Sequence, residues 1–286
     1  IVGTAGLEPT LAAVKNGGMI ALANKECLVA GGELFMDAVK AAGATLLPVD
    51  SEHNAIFQVL DGEDRSSLER VVLTASGGPF RTWPLEKMAN VTVAAARAHP
   101  NWSMGLKISI DSASMFNKAL EMIEAKHLFA LRPEQVEVIV HPQSIVHSMV
   151  AYHDGSILAQ LGPSDMRVAI GYALNHPERG HLPVERLDFA KLSRLDFEAP
   201  DEARFPALRL ARQAMEQGGL SGAVLNAAKE VALEAFIAGR LPFLRMAEVV
   251  EKVMETMNTG SALDLASILE ADTGARRNAT EIIAKP

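Results

Sequence analysis

Three carboxylates and one run of polar side chains at helical spacing are the residues of this chain whose types and order could do chemistry. Asp50 and Glu52 stand two apart just after an apolar, strand-like run, and two apart on an extended chain means one face. Glu121 belongs to a second group. Ser114, Asn117, Lys118 and Glu121 fall at i, i+3, i+4 and i+7, so a helix would carry all four on one side. Met115, Phe116, Ala119, Leu120, Met122 and Ile123 cover its other faces, which predicts a helix buried on most sides with a narrow polar strip. Ser112 and Ser114 lie at its expected N-terminus, where free backbone N–H groups favour an anion such as phosphate. The alternative is a capped helix whose Lys118 and Glu121 pair on a wet face. Together Asp50, Glu52 and Glu121 offer three oxygen ligands, suited to a hard divalent ion such as Mg²⁺ or Mn²⁺. An open site of that kind polarises a carbonyl or hydroxyl. Zinc fits less well, because no Cys or His pair has its usual spacing.

The elements that must position these groups follow from hydrophobic periodicity. Ile1 and Val2 read as strand, Leu7, Leu11 and Val14 as helix, Met19 to Ala23 as strand, Leu28 to Val39 as helix and Thr45 to Val49 as strand. That βαβαβ order implies a parallel sheet with sites at the C-terminal strand ends, where Asn24-Lys25-Glu26 and Asp50-Ser51-Glu52-His53-Asn54 fall. Gly3 and Gly6 form only a GxxG pair, better explained as a turn than as a dinucleotide fingerprint. Val71 to Thr74 is a strand that empties into Ser76-Gly77-Gly78, a turn through which a backbone could approach a ligand. Lys107 to Ile110 reads as a short alternating segment that hands over at Asp111 to the polar-striped helix. Val136, Val138 and Val140 alternate as a strand, and Ile145–Tyr152 and Ile157–Leu161 form a hairpin around Asp154-Gly155. An exposed strand there could serve a homodimer. Residues 176–201, rich in Pro and charge, read as a linker with His176 and His181 on the surface. Helices follow at Pro206–Gln217, Ser221–Ala238, Met246–Met257 and Ser261–Ala271, with a further one from Arg276, as a small bundle. The expected fold class is therefore α/β plus α+β: a remnant of a Rossmann-like parallel sheet, a central mixed α/β catalytic domain and a C-terminal helical bundle.

Composition narrows the partners. The chain has 286 residues, enough for two or three domains, and a net charge of -8 with pI near 5.5, which argues against a nucleic-acid surface. No run of about 18 apolar residues is present, so no membrane span is expected. The single cysteine, Cys27, allows no internal disulfide and fits a reducing compartment. With Ile1 first and no signal pattern, the chain reads as internal to a longer protein.

The clusters Asn24-Lys25-Glu26, Asp50-Ser51-Glu52-His53-Asn54, Ser76-Gly77-Gly78-Pro79-Phe80-Arg81, His99-Pro100-Asn101-Trp102-Ser103-Met104-Gly105, Asp111 to Glu121, His141-Pro142-Gln143-Ser144 and Asp165-Met166-Arg167 come in an order that resembles the 1-deoxy-D-xylulose 5-phosphate reductoisomerase family over essentially the whole chain. The resemblance implies an NADPH-dependent, divalent-metal-dependent enzyme of non-mevalonate isoprenoid synthesis. It would rearrange 1-deoxyxylulose 5-phosphate, a phosphosugar, and reduce the resulting aldehyde to 2-C-methyl-D-erythritol 4-phosphate.

Position by position, the resemblance implies Asp50, Glu52 and Glu121 as metal ligands, the set the carboxylate argument reached. It implies Ser76, Ser112, Asn117 and Lys118 around the substrate phosphate, with His99 close by, and Lys25, Ser51 and Glu52 at the hydroxy-ketone end. Lys25, Glu52, His99 and Glu121 would be catalytic, Trp102 a lid residue, and Asn24, Glu26, Met104, Gly105 and Met166 would lie along NADPH. His53 and His147 also fall in family motifs, each with a structural role as its alternative. The family's first strand and glycine-rich pyrophosphate turn are not in these residues. Residues 1–49 therefore match the second half of the NADPH-binding domain, 50–175 a catalytic and dimerisation domain, 176–201 the linker and 202–286 the bundle. A rival reading is a non-catalytic metal- and phosphosugar-binding dimerisation fragment. The expected location is bacterial cytoplasm, with a plastid as the alternative.

Overall fold

The computed structural model describes residues 1–98, 100–102, 104–261 and 264–285. After a 3-10 turn at Thr4–Gly6 comes α1 (Leu7–Val14), which buries Leu7, Leu11 and Val14 at i, i+4 and i+7. β1 (Met19–Leu22) and β2 (Thr45–Pro48) pair in parallel, Met19 opposite Thr45, and α2 (Glu26–Ala42) crosses between them. Gly43, at φ 60°, closes α2 in the left-handed conformation that glycine adopts without strain. The strand expected at Ile1 and Val2 does not form. Both residues are exposed, and the parallel sheet has two strands among the described residues.

α3 (Ser51–Leu60) starts directly after β2, and β3 (Leu68–Ala75) opens the second sheet. Two short helices, α4 (Leu85–Met88) and α5 (Val93–Arg97), lead to α6 (Leu106–Ala113) and α7 (Phe116–Leu128). β4 (Val136–Val140), β5 (Val146–Tyr152) and β6 (Ile157–Leu161) complete a mixed sheet ordered β4-β3-β5-β6. β3 runs parallel to β4 and antiparallel to β5, and β6 pairs antiparallel to β5 at the edge. α8 (Met166–Asn175) and the short α9 (Phe189–Leu192) precede four longer helices: α10 (Ala207–Gln217), α11 (Ser221–Ile237), α12 (Arg245–Thr256) and α13 (Leu265–Ala284). One apolar core takes in Val71 and Leu73 of β3, Phe116 and Leu120 of α7, Leu208 of α10, Leu225 of α11 and Val249 of α12. No helix among the described residues is long and apolar enough to cross a membrane.

Further expectations change. Lys107 to Ile110 is helical, part of α6, because Ile110 and Ala113 are buried one turn apart while Ile108 faces outward. The polar-striped helix is therefore two helices end to end, broken where Met115 turns left-handed at φ 64°. At the C-terminus the two expected helices are one. Ala271, Ala275 and Ala279 are buried on a continuous face that runs straight through Gly274, and Asp264 caps the start with Ser267. Residues 176–201 do not form a free tether: Glu198 exchanges backbone hydrogen bonds of 2.9 Å with Val140, and Phe197 stacks on His141. His176 is half-buried, its ring 5.6 Å from that of Phe57 and 5.7 Å from that of Tyr172, while His181 is exposed.

Candidate active site

Three helix starts aim at one point. Lys25 caps α2, Asp50 caps α3 with Ser51 and Glu52 in its first turn, and Asn117, Lys118 and Glu121 share one face of α7. Asp50 and Glu52 do not sit on extended chain as the spacing argument assumed. The turn from β2 into α3 brings them together instead, and each offers an oxygen within 4.8 Å of one from Glu121.

Positive charge is threaded between these carboxylates. Lys25 Nζ lies against Asp50, 2.9 Å from Asn117 Oδ1 and 3.2 Å from Glu121 Oε1. Lys118 Nζ donates to Glu52 Oε1 at 2.8 Å and to Glu121. The Lys118–Glu121 pair that could have been a wet surface pair is buried, with Glu121 fully enclosed. Burial and the neighbouring Glu52 carboxylate push Glu121 up to about 7, against the pull of Lys118 and Lys25. Burial would also raise Asp50 and Glu52, but Lys25 and His53 hold Asp50 well below the usual carboxylate range, and Lys118 holds Glu52 down. A cluster of one buried and two half-buried carboxylates, the buried one with its proton affinity raised by burial and by its neighbour, is the donor set a hard divalent cation satisfies.

The carboxylates border a cleft of about 370 Å³. Asn24, Lys25, Glu26, Asp50, Ser51, Glu52, Asn117 and Lys118 line it, Glu121 lies beneath, and Ser76, Trp102, Met104, Ser112 and Met166 complete its walls. Gly78 explains how Ser76 and Ser112 come to share one cleft wall: a Cβ there would come within 3.0 Å of the Ser112 carbonyl oxygen, so only glycine lets the β3 turn dock on the end of α6. Asn24 Oδ1 accepts from Glu26 N at 3.1 Å, fixing the start of α2. Gly105 caps α6 but is not in the wall, and His99 lies outside the described residues. Ser114 closes the C-terminal end of α6, its Oγ donating to Ile110 O at 2.8 Å, and takes no place at the N-terminus of the polar helix.

Both motif histidines are buried. His53 has its Nε2 2.9 Å from the Glu121 carbonyl oxygen and its Nδ1 3.3 Å from Glu124 Oε2, and burial lowers it to about 4. His147 lines the cleft, its ring centroid 6.2 Å from that of Trp102. Glu124, Thr74 and the buried Asp111–Lys229 pair at 3.0 Å went unmarked in the sequence. Glu124 carried a signal, a second acid at i+3 from Glu121 inside an apolar helix; the other two depend on contacts far apart in the chain.

Converging carboxylates, a buried and a half-buried lysine and a hydroxyl-lined cleft in an α/β scaffold have the chemistry of a metal-dependent enzyme for an anionic, oxygen-rich substrate. Comparison with known proteins agrees. Family models described as 1-deoxy-D-xylulose 5-phosphate reductoisomerase match residues 1–32, and those of its C-terminal domains match residues 46–129 and 161–278. The reductoisomerase of Rhizobium meliloti (strain 1021) is 70% identical over 284 residues, 99% of this chain and 73% of its own. That of Agrobacterium fabrum (strain C58 / ATCC 33970) is 67% identical over 285 residues, 99% and 72%. Among solved structures, the Zymomonas mobilis reductoisomerase in complex with NADPH superposes with a TM-score of 0.94 at 50% identity, over 100% of this chain and 74% of that one. A reductoisomerase in complex with NADPH, fosmidomycin and magnesium gives 0.94 at 44%, over 99% and 74%. The chain belongs to the 1-deoxy-D-xylulose 5-phosphate reductoisomerase family.

Proposed function

We propose that the chain catalyses the NADPH-dependent isomerisation and reduction of 1-deoxy-D-xylulose 5-phosphate to 2-C-methyl-D-erythritol 4-phosphate with a divalent metal ion. The observation that carries this is the convergence of Asp50, Glu52 and Glu121 within 4.8 Å beside a cleft lined by Ser76, Ser112 and Lys118. Asp50, Glu52 and Glu121 hold Mg²⁺ or Mn²⁺, which when bound stabilises negative charge developing on the substrate oxygens. NADPH, along Asn24, Glu26, Met104, Gly105 and Met166, supplies the hydride. Ser76, Ser112, Asn117 and Lys118 anchor the phosphate with His99, remote binding energy that orients the reacting carbons. Lys25 and Ser51 contact the hydroxy-ketone end, and Trp102 shields the aldehyde from water. Oxidation of NADPH on adding substrate and Mg²⁺, followed by the loss of nicotinamide absorbance, tests the reading; no NADPH consumed with both present overturns it. The non-catalytic reading is not favoured, since the relatives at 66–70% identity are named as reductoisomerases.

The finer architecture belongs to the same proposal. The parallel β1–β2 pair with α2 between supports residues 1–49 as part of a Rossmann-like cofactor domain. Residues 50–175 form the catalytic unit, 176–201 a connection and 202–286 a bundle around α11. Exposed Ile157 and Leu158 on the edge strand β6 support a homodimer. Sedimentation of Ile157→Lys as a monomer, where the parent sediments as a dimer, checks it. A cytoplasmic location is in keeping with the single buried Cys27 and is checked by cell fractionation.

A further inference from the structure

Strand β5 departs from regular pairing where it reaches the cleft. Its ladder with β3 runs to Leu73 opposite Ser148. On the other side, Val146 faces Leu161 and Ser148 faces Gln160 of β6, so His147 is one residue too many. Such a bulge re-aims the side chain it carries. Here that side chain is the His147 imidazole, turned into the cleft wall beside Trp102.

A bulge in a buried strand leaves carbonyls without ladder partners, and each needs a donor. Thr74 supplies one such donor, its single proton shared between two carbonyls. Its hydroxyl lies 2.7 Å from the Val146 carbonyl oxygen and 2.8 Å from that of His147, and the side chain is 4% exposed. Ser148 adds a second hydroxyl, 2.6 Å from the His147 carbonyl oxygen. Thr74 is the last residue but one of β3, next to the Ala75-Ser76 turn, so one strand end sets both the serine turn and the histidine.

We propose that Thr74 is a positioning residue for the reaction: its hydroxyl holds the β5 bulge that turns His147 into the cleft against Trp102. This rests on the reductoisomerase reading. Thr74 acts through His147, so its effect disappears when His147 is removed.

The test is a double-mutant cycle in the enzyme with Mg²⁺ and NADPH. Thr74→Val removes the hydroxyl at nearly constant shape and is expected to raise the KM for 1-deoxyxylulose 5-phosphate about tenfold, with the KM for NADPH unchanged. Thr74→Ser keeps the hydroxyl and restores the parent value. In a His147→Asn background Thr74→Val changes nothing further. Ser148→Ala, which leaves Thr74 in place, moves the same KM in the same direction by less. Ring ¹⁵N spectra give a readout apart from turnover: the His147 resonances shift in Thr74→Val and return in Thr74→Ser. Additive effects of Thr74→Val and His147→Asn, or unmoved His147 resonances, overturn the inference. If the parent protein consumes no NADPH, the reductoisomerase reading fails, and the His147 resonances still decide whether Thr74 positions the ring.

Discussion

Glu121 is the residue on which the site's charge balance turns, because it touches both lysines and lies against both other carboxylates. Glu121→Gln keeps its shape and removes its charge. Turnover is expected to fall by about 10²-fold or more, with the Mg²⁺ concentration for half-maximal rate raised, as a metal titration measures. An unchanged Mg²⁺ requirement would show that Glu121 is not a ligand. The proposed function puts Lys118 at the phosphate end of the substrate. Lys118→Gln is expected to raise the KM for the phosphosugar by roughly 10- to 100-fold, the loss of a charge-assisted contact, while NADPH binding stays as it was. The groups themselves were legible in the sequence because residue type and helical spacing survive without coordinates. Asp50 and Glu52 were grouped through strand geometry that does not exist there, and the turn into α3 brings them together instead. Ser114 misled because a serine beside a helix start looks the same in sequence as one that closes the helix before it.

At the scale of elements, long periodic segments were legible and junctions were not. The sheet strands and the Asp154-Gly155 hairpin stand where alternation put them. The α6–α7 break depends on a single left-handed residue, Met115, which no composition signal marks. The break expected between Ala271 and Arg276 does not occur, because the alanines on either side of Gly274 pack as one helix. Close approach of helices is similarly silent until coordinates exist. A Cβ on Gly222 of α11 would stand 2.0 Å from the carbonyl oxygen of Val29 in α2, whose N-terminus carries Lys25. Gly222→Ala therefore forces α11 away from α2. Stability is expected to fall by about 3 kcal/mol, read as a lower urea midpoint, and an unchanged midpoint would mean that the two helices part freely.

Across the whole molecule, composition and charge foresaw an acidic chain with room for several units, but not that C-terminal helices would share a core with the mixed sheet, since that contact joins segments far apart in sequence. One consequence of the shared burial is a pH-dependent stability. His127, on α7, packs its ring so close to α2 that a Cβ on Gly32 would lie 2.2 Å from it. Burial, with the Lys126 ammonium nearby, lowers the imidazole from 6.5 to about 4. The unfolded chain then binds a proton near pH 6.5 that the folded chain refuses until about pH 4. The contribution is complete above pH 6.5 and is lost as pH falls through that window. A displacement of about 2.5 pH units corresponds to about 3 kcal/mol at most. His127→Gln, which cannot titrate, is expected to flatten the decline of unfolding free energy between pH 6.5 and 4 by up to about one proton per molecule. Urea unfolding across that range measures the slope rather than the level, so a general loss of packing in the variant does not obscure the result. Parallel slopes for parent and variant would place the acid sensitivity of that range elsewhere, in His53, whose buried imidazole is lowered to about 4 as well.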